Sequence, residues 1–415
     1  MSKAHSKWLF KSSLTQFDQA LASNYAMEIE PQVKFSQIPK VEIYDANTIN
    51  SLVWPDTTES IEAKKFLLPL IKNGTSQYIN NVTTELKVLK IDNTIIPITI
   101  NFTEYDNSYV CSPYSYYITY AKHSIQHFSS EILKSLIKGG LWGLSKFFKS
   151  TKINQVVIVN NWLCSTNLFP SFDSTLIPTI TTFLKQTYPQ HTLIFRSVNE
   201  KIYPNYFQEL KDNSYKMSAS RQIFFTNTKD EKIFESRLFK SDTKLLQASG
   251  YEIIDGTQLS QQDIPRLLDL YNQVFIDKHS SLNPQLSANY IQLALDPQIL
   301  QIRALRKNGQ IDGVVGFTCR NGIMTCSLFG YDKVIPSQVA LYRLLSTLLM
   351  LEAKERDLIF HQSAGASTYK KIRKAQDCIE YIAIYDKHLS LKQRLPWLLL
   401  TKLCNTLGIY FMKKY

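Results

Sequence analysis

His361 is followed by Ser363, Gly365, Lys370 and Arg373 in the run HQSAGASTYKKIR, which offers two kinds of chemistry. An imidazole of ordinary pKa, near ~6.5, accepts a proton at neutral pH. A turn of small residues opening a basic helix can present N–H groups and cations to a bound anion. The plainer reading is a histidine satisfied by Ser363 or a carbonyl, beside a solvated basic face. A second group, Asp277, Lys278 and His279 with Asn283-Pro284, sets opposite charges and an imidazole just after a helical stretch. Such a loop binds substrate or merely caps and pairs at the surface. In the first half Asn161, Trp162, Ser165 and Asn167 follow a β-branched run, and Arg196 stands at the end of the next one. Polar groups at strand ends often line a cleft, although Asn and Ser are also what a connection requires. Tyr114, Tyr116, Tyr117 and Tyr120 could floor a hydrophobic site or belong to a core. His123 and His127 stand four apart with Ser124 where a zincin carries Glu, so no metal is expected. There is no Walker or Rossmann glycine pattern and no G-x-S-x-G elbow.

The elements that must position these residues are clearest in the second half. Asn308-Gly309 and Asn321-Gly322 each favour a type I′ turn, predicting strands 301–307, 310–320 and 323–331. Gly313 and Gly316 inside the middle strand mark bulges or close approaches. An apolar helix over 337–354 follows, then a strand over 358–362, a basic helix from Ser363 and a strand over 378–385. The first half reads similarly: strands at 85–91, 95–104 and 108–120, a helix over 129–149 and a buried strand over 155–162. Further elements are expected as a helix at 176–186, a strand at 192–197, a helix at 203–213 and a strand at 220–226. Residues 41–70 read as a helix-rich entry, 236–249 as a link and 263–277 as a helix. The expected domains are an arm (1–45), a first half (46–235), a second half (236–389) and a tail (390–415).

Antiparallel meander, helix, strand, helix, strand resembles the core of the GNAT acyltransferases. The run HQSAGASTYKKIRKAQDCIEYIAIYDKHL is similar to the closing segment of the FemAB-like branch, the peptidoglycan-bridge aminoacyltransferases and their relatives. That resemblance implies an α/β (α+β) fold of mixed, largely antiparallel sheets flanked by helices, with two GNAT-like halves in tandem. It implies an N-acyltransferase moving an acyl or aminoacyl group from an activated thioester or ester carrier onto an amine. His361 would then be the catalytic base. Asp277, Lys278, His279 and Asn283, with Asn161, Trp162, Ser165, Asn167 and Arg196, would bind substrate. Ser363, Gly365, Lys370 and Arg373 would bind the donor. The implied co-substrate is acyl-CoA or acyl carrier protein, with no tightly bound cofactor. The family's glycine-rich pyrophosphate loop is replaced by GYDKVIPSQVALYR, however. Two other functions stay open: an aminoacyl-tRNA-dependent Fem-type ligase for a cell-wall precursor, and a non-catalytic GNAT-fold binding module.

With 415 residues, 44% hydrophobic and 12% aromatic, the chain has the makeup of a globular protein rather than a disordered or fibrous one. Its 47 basic and 35 acidic residues give +12, which favours a phosphate-rich partner such as tRNA, a phosphopantetheine carrier or an anionic membrane surface. Six cysteines without a CxxC pair read as buried thiols; the Asn321-Gly322 turn sets Cys319 opposite Met324 and Cys326 opposite Phe317. Residues 8–10 are too short an apolar run for a secretory signal, so a cytoplasmic location is expected. After Asp386 the tail carries only basic charges around Trp397–Leu400, so it either lies on a membrane surface or docks as a last helix.

Overall fold

Two successive stretches of the chain trace the same path, and their strands meet in one sheet. The computed structural model describes residues 39–124 and 130–414. The first stretch contains β1 (Val41–Tyr44), α1 (Thr58–Asn73), β2 (Glu85–Ile91), β3 (Thr94–Asn101), α2 (Glu131–Ser150) and β4 (Val156–Val159). It closes with α3 (Ile177–Thr187), β5 (Thr192–Val198), α4 (Pro204–Asp212) and β6 (Lys216–Asn227). Helix α5 (Arg237–Ala248) leads to β7 (Glu252–Asp255), α6 (Ile264–Tyr271) with its π-helical continuation Asn272–His279, and α7 (Ala288–Ala294). Then come β8 (Gln301–Lys307), β9 (Gln310–Arg320), β10 (Ile323–Tyr331), α8 (Leu341–Glu355), β11 (Ile359–His361), α9 (Ser367–Ile372) and β12 (Gln376–Tyr385). Helix α10 (Leu391–Leu403) continues through a π turn, Cys404–Gly408, into Ile409–Lys414.

The sheet order is β1-β2-β3-β4-β5-β12-β6-β11-β10-β9-β8-β7. It reads the same from either edge when β1 to β6 are matched with β7 to β12. Only β4 with β5 and β10 with β11 run parallel; every other pair is antiparallel. The closing strands are exchanged: β12 pairs with β5, β6 with β11, and β6 and β12 with each other. The fold is thus mixed α/β, with a large, mostly antiparallel sheet flanked by helices.

The second-half meander has the expected bounds because both turns adopt the left-handed backbone that Asn-Gly supplies: Asn308 (φ 51°), Gly309 (81°), Asn321 (50°) and Gly322 (71°). Cys319 faces Met324 and Cys326 faces Phe317, as that register requires. Gly313 and Gly316 are close approaches, where a Cβ would stand 3.1 Å from Leu345 and 2.5 Å from Leu300. The bulges fall on their neighbours, at Leu305/Arg306 and Cys326/Leu328.

The chain differs from the sequence reading in three places. The expected strand at 108–120 is instead a loop entering a π turn, Ser115–Thr119, and the helical turn Tyr120–Ser124. Asn154 fixes that bend: its carbonyl oxygen accepts from Tyr114 N–H at 2.9 Å and its amide donates to Ser112 Oγ at 2.9 Å. Helix α2 is therefore inserted between the third and fourth strands, so β4 corresponds to β10 and α3 to α8. The expected helix-rich entry begins with edge strand β1 before α1, and the expected link at 236–249 is helix α5, which leads into edge strand β7. Most of the expected arm, and His127, lie outside the described residues.

Burial follows the layering. β4 and β5 are buried at every position, as strands covered on both faces must be. Helix α8 lays Leu344, Leu345, Leu348 and Leu349 against Val315, Phe317, Met324 and Phe360. Each such leucine contributes roughly 1.5–3 kcal/mol by leaving water. Gly330 lets α6 approach closely, since a Cβ there would stand 2.5 Å from the Leu270 carbonyl carbon.

Candidate functional site

The parallel pair β10 and β11 holds together over only three residues, Ile323–Thr325 against Ile359–His361. Beyond them the Cys326/Leu328 bulge turns β10 away, while β11 ends in a turn where Ser363 (φ 57°), Gly365 (77°) and Ala366 (49°) all adopt left-handed backbone. Positive φ at two non-glycine residues costs free energy, and surrounding bonds hold it in place. Ser363 O accepts from Phe224 N–H at 3.0 Å, and Gln362 N–H donates to Phe224 O at 2.8 Å. Between the parted strands lies a cavity of about 600 Å³. Its walls are Phe329 and Tyr331 from β10, Tyr342 and Met350 from α8, the turn after β11, and Lys278 and His279 from the π turn.

Arg221 lines this cavity from β6 and is the direct neighbour in register of Glu380 on β12, the other exchanged strand. Arg221 donates to Glu380 from Nε (2.7 Å) and Nη2 (3.2 Å), to Ser363 Oγ (3.2 Å), to Ser165 O (2.8 Å) and to Thr166 Oγ1 (3.0 Å). Thus one guanidinium ties the loop after β4 to the turn after β11. Both partners are largely buried, with side-chain exposures of 19% and 4%.

His361 lines the cavity but does not meet the expectation of an ordinary, accessible base. Burial pulls its imidazolium down to about 3, and Arg221 and Lys370 push in the same direction. Nδ1 accepts from the Ser363 N–H at 3.1 Å, so the neutral ring carries its proton on Nε2. That atom is buried without a hydrogen-bond partner, 4.0 Å from Glu380. The basic lone pair is therefore spent on the turn. His279 differs: it lines the same cavity at its exposed side, and burial, then Lys278, holds its pKa below 6.5. It is neutral at pH 7 with ring nitrogens available.

The cations expected to meet a bound anion are also committed. Lys370 gives its three donors to the carbonyls of Gln362 (2.6 Å), Ser363 (3.2 Å) and Ala364 (2.8 Å), and burial pulls its pKa down to about 7. Arg373 pairs with buried Asp242 at 2.7 Å and stacks on Tyr369 at 3.5 Å. Asp242 also holds Arg343. These side chains build the turn and its helix rather than presenting free charge. Burial pushes the Cys326 thiol up to about 12, so it supplies no thiolate nucleophile here.

The structure brings His361, Ser363, Gly365, Lys370, Arg373, Lys278, His279, Asn283 and Ser165 to one cavity. Asn283 donates to Phe275 O at 2.7 Å and Ser280 O at 3.1 Å, which makes it a staple of its loop. Five expected substrate residues stand elsewhere. Asp277 is exposed and outside the cavity wall. Asn161 is buried, its amide bonded to Thr99 Oγ1 and Val110 O, and Arg196 donates to Val110 O. Asn167 accepts from Trp162 N–H at 2.8 Å. Trp162 stacks on Arg320 at 4.0 Å beside a separate cavity of about 370 Å³. Of the tyrosines, Tyr120 reaches the main cavity; Tyr116 and Tyr117 border a void of about 20 Å³ with Arg196. Arg221, Glu380, Tyr331 and Tyr342 escaped sequence reasoning. Only the basic and acidic members of two apolar strands, Arg221 and Glu380, carried a usable signal.

No family model matches this chain, and no curated protein does either. Among solved structures, the L-PGS structure from Bacillus licheniformis is 16% identical over 56% of this chain and 78% of that one, with a TM-score of 0.40. FemX is 8% identical over 55% and 80%, with a TM-score of 0.42. A probable N-acyltransferase from Enterococcus faecalis V583 is 9% identical over 84% and 72%, with a TM-score of 0.32. Likenesses of this size say nothing about the reaction. In the second half the parallel pair of the sheet parts around a cavity.

Proposed function

We propose that this protein is an N-acyltransferase of the FemAB-like kind, which moves an acyl or aminoacyl group from an activated carrier onto an amine bound in the cavity between β10 and β11. The observation that carries the reading is the parting of that parallel pair after Thr325 and His361, with neutral His279 and the Tyr331 hydroxyl on the wall. A cavity of about 600 Å³ has the size of a small-molecule site, roughly 300–1,000 Å³. Phe329, Leu349 and Met350 suit an acyl chain or the arm of a carrier. The residues fit such an arm better than a free nucleotide, because Lys370 and Arg373 are already paired.

The amine nitrogen attacks the carbonyl carbon, and the bond from that carbon to the carrier sulfur or oxygen then breaks. His279 takes the surplus proton of the nitrogen, and the Tyr331 O–H, which accepts from Lys278 Nζ at 3.2 Å, protonates the departing carrier. His361 and Arg221 act as positioning residues that fix the turn after β11. An aminoacyl-tRNA ester is a second donor, which the net +12 charge favours. Thermal-shift titration with acetyl-CoA, longer acyl-CoAs, acyl carrier protein thioesters and charged tRNA separates these donors. A donor that stabilises the chain and is consumed only when an amine is added supports the reading. Stabilisation by none of them overturns it.

A further inference from the structure

Helices α2 and α10 cover the same face of the sheet. Phe148 of α2 and Trp397 and Leu400 of α10 pack in one cluster with Ile158, Ile194, Ile382 and Ile384 from β4, β5 and β12. Their opposite sides therefore point away from the sheet together. On α2 that side carries Ile132, Leu136 and Trp142; on α10 it carries Leu391, Leu395 and Leu398. Each of these six is between 52% and 79% exposed. Solvated helix faces of globular proteins are polar, so two apolar stripes side by side call for a partner.

The charges say which partner. Residues 131–150 contain four lysines and one acidic residue, and no acidic residue follows Asp386. Lys138, Lys146, Lys392 and Lys402 are exposed around the stripes, and Lys146 lies 5.5 Å from the Trp142 ring. A second copy would bring the same basic surface against itself across a two-fold axis. An anionic bilayer accepts both features at once: apolar side chains at the acyl boundary and cations at the headgroups. Among the described residues no helix is long and apolar enough to cross a membrane, which fits helices lying in the surface plane.

We propose that the outward faces of α2 and α10 form a two-helix surface that docks this protein on an anionic lipid bilayer. The surface adjoins the cavity: Asn405, just after α10, donates to Met217 O and accepts from Ala219 N–H, each at 2.8 Å, two residues from Arg221 on β6. Docking in this manner holds a cavity beside the headgroup layer whatever reaction occurs in it.

The test is co-sedimentation of the full chain with phosphatidylcholine vesicles, with and without phosphatidylglycerol. Pelleting is expected only with phosphatidylglycerol, and it should fall as salt rises. Lys138→Ala/Lys146→Ala should lower the partition coefficient about 25-fold, at roughly fivefold per cation. Leu136→Glu/Trp142→Glu and Leu395→Glu/Leu398→Glu should each abolish pelleting while leaving the melting temperature unchanged, since all four side chains are exposed. Equal pelleting with neutral vesicles, or undiminished pelleting of either glutamate variant, overturns the proposal. If the glutamate variants instead convert a dimer to a monomer and no vesicle is bound, the surface is an interface between copies.

Discussion

Replacing Arg221 by Met should damage the protein more than replacing Arg221 and Glu380 together. Arg221 makes five hydrogen bonds, two of them to a carboxylate whose side chain is 4% exposed. Removing the cation strands Glu380 in the sheet, and a broken buried pair typically costs roughly 3–5 kcal/mol. Glu380→Leu strands Arg221 with a similar cost. The double variant puts two apolar side chains side by side on adjacent strands and should recover most of the loss, because a buried pair is often worth little against a packed apolar substitute. Urea unfolding of the four proteins at pH 7 gives the coupling. The expected interaction is several kcal/mol, far above the ~0.5 kcal/mol within which independent sites add. Arg221→Met should also raise the His361 pKa, since it removes a repelling charge and leaves Glu380 4.0 Å away, and NMR of the imidazole reads this shift. Additive losses with an unmoved His361 would refute the picture of one coupled knot.

Three further outcomes follow from the same contacts. His361 has a folded pKa of about 3 against ~6.5 unfolded, so the unfolded chain binds more protons between these values and stability falls as pH drops from 6.5 toward 3, by up to about 1.4 kcal/mol per unit; His361→Gln should flatten that part of the urea-midpoint profile. Lys370 has a folded pKa of about 7 against ~10.4 unfolded, so stability should rise with pH across that window, and Lys370→Met should remove the rise while loosening the turn after β11 in hydrogen exchange. Gly330→Ala would put a Cβ against the backbone of Leu270 and should cost more than Gly313→Ala, whose Cβ meets only the flexible Leu345 side chain; thermal melts of the two variants decide this.

The sequence was most legible where chemistry is local. Asn-Gly turns dictate backbone sign, so the β8–β10 meander and the register around Cys319 and Cys326 follow from neighbouring residues alone. Helix α2 misled because its apolar spacing matches that of a helix crossing between parallel strands; nothing in residues 131–150 says that β4 must first complete a meander. The exchange of β6 and β12 was equally hidden, since partner choice depends on what the rest of the sheet leaves free. At the site, residue type identified cationic side chains but not their use. Lys370 and Arg373 looked available until the carbonyls and Asp242 that face them were placed, and His361 looked basic until its burial was known. Tyr331 gave no signal beyond that of an aromatic in a strand.

The most direct measurement is transfer of a labelled acyl or aminoacyl group to an amine by three proteins: the wild type, Tyr331→Phe with His279→Ala, and a cavity-filled Ser346→Trp variant, each with the donor that stabilises the wild type. Loss of a general acid or base typically lowers a rate ~10²–10⁴-fold, so the double variant should bind donor almost normally and turn over at least about 10²-fold more slowly. Ser346 lines the cavity, so Ser346→Trp should neither bind the donor nor turn over. Wild-type transfer rates in the cavity-filled variant would contradict the placement of the reaction between β10 and β11.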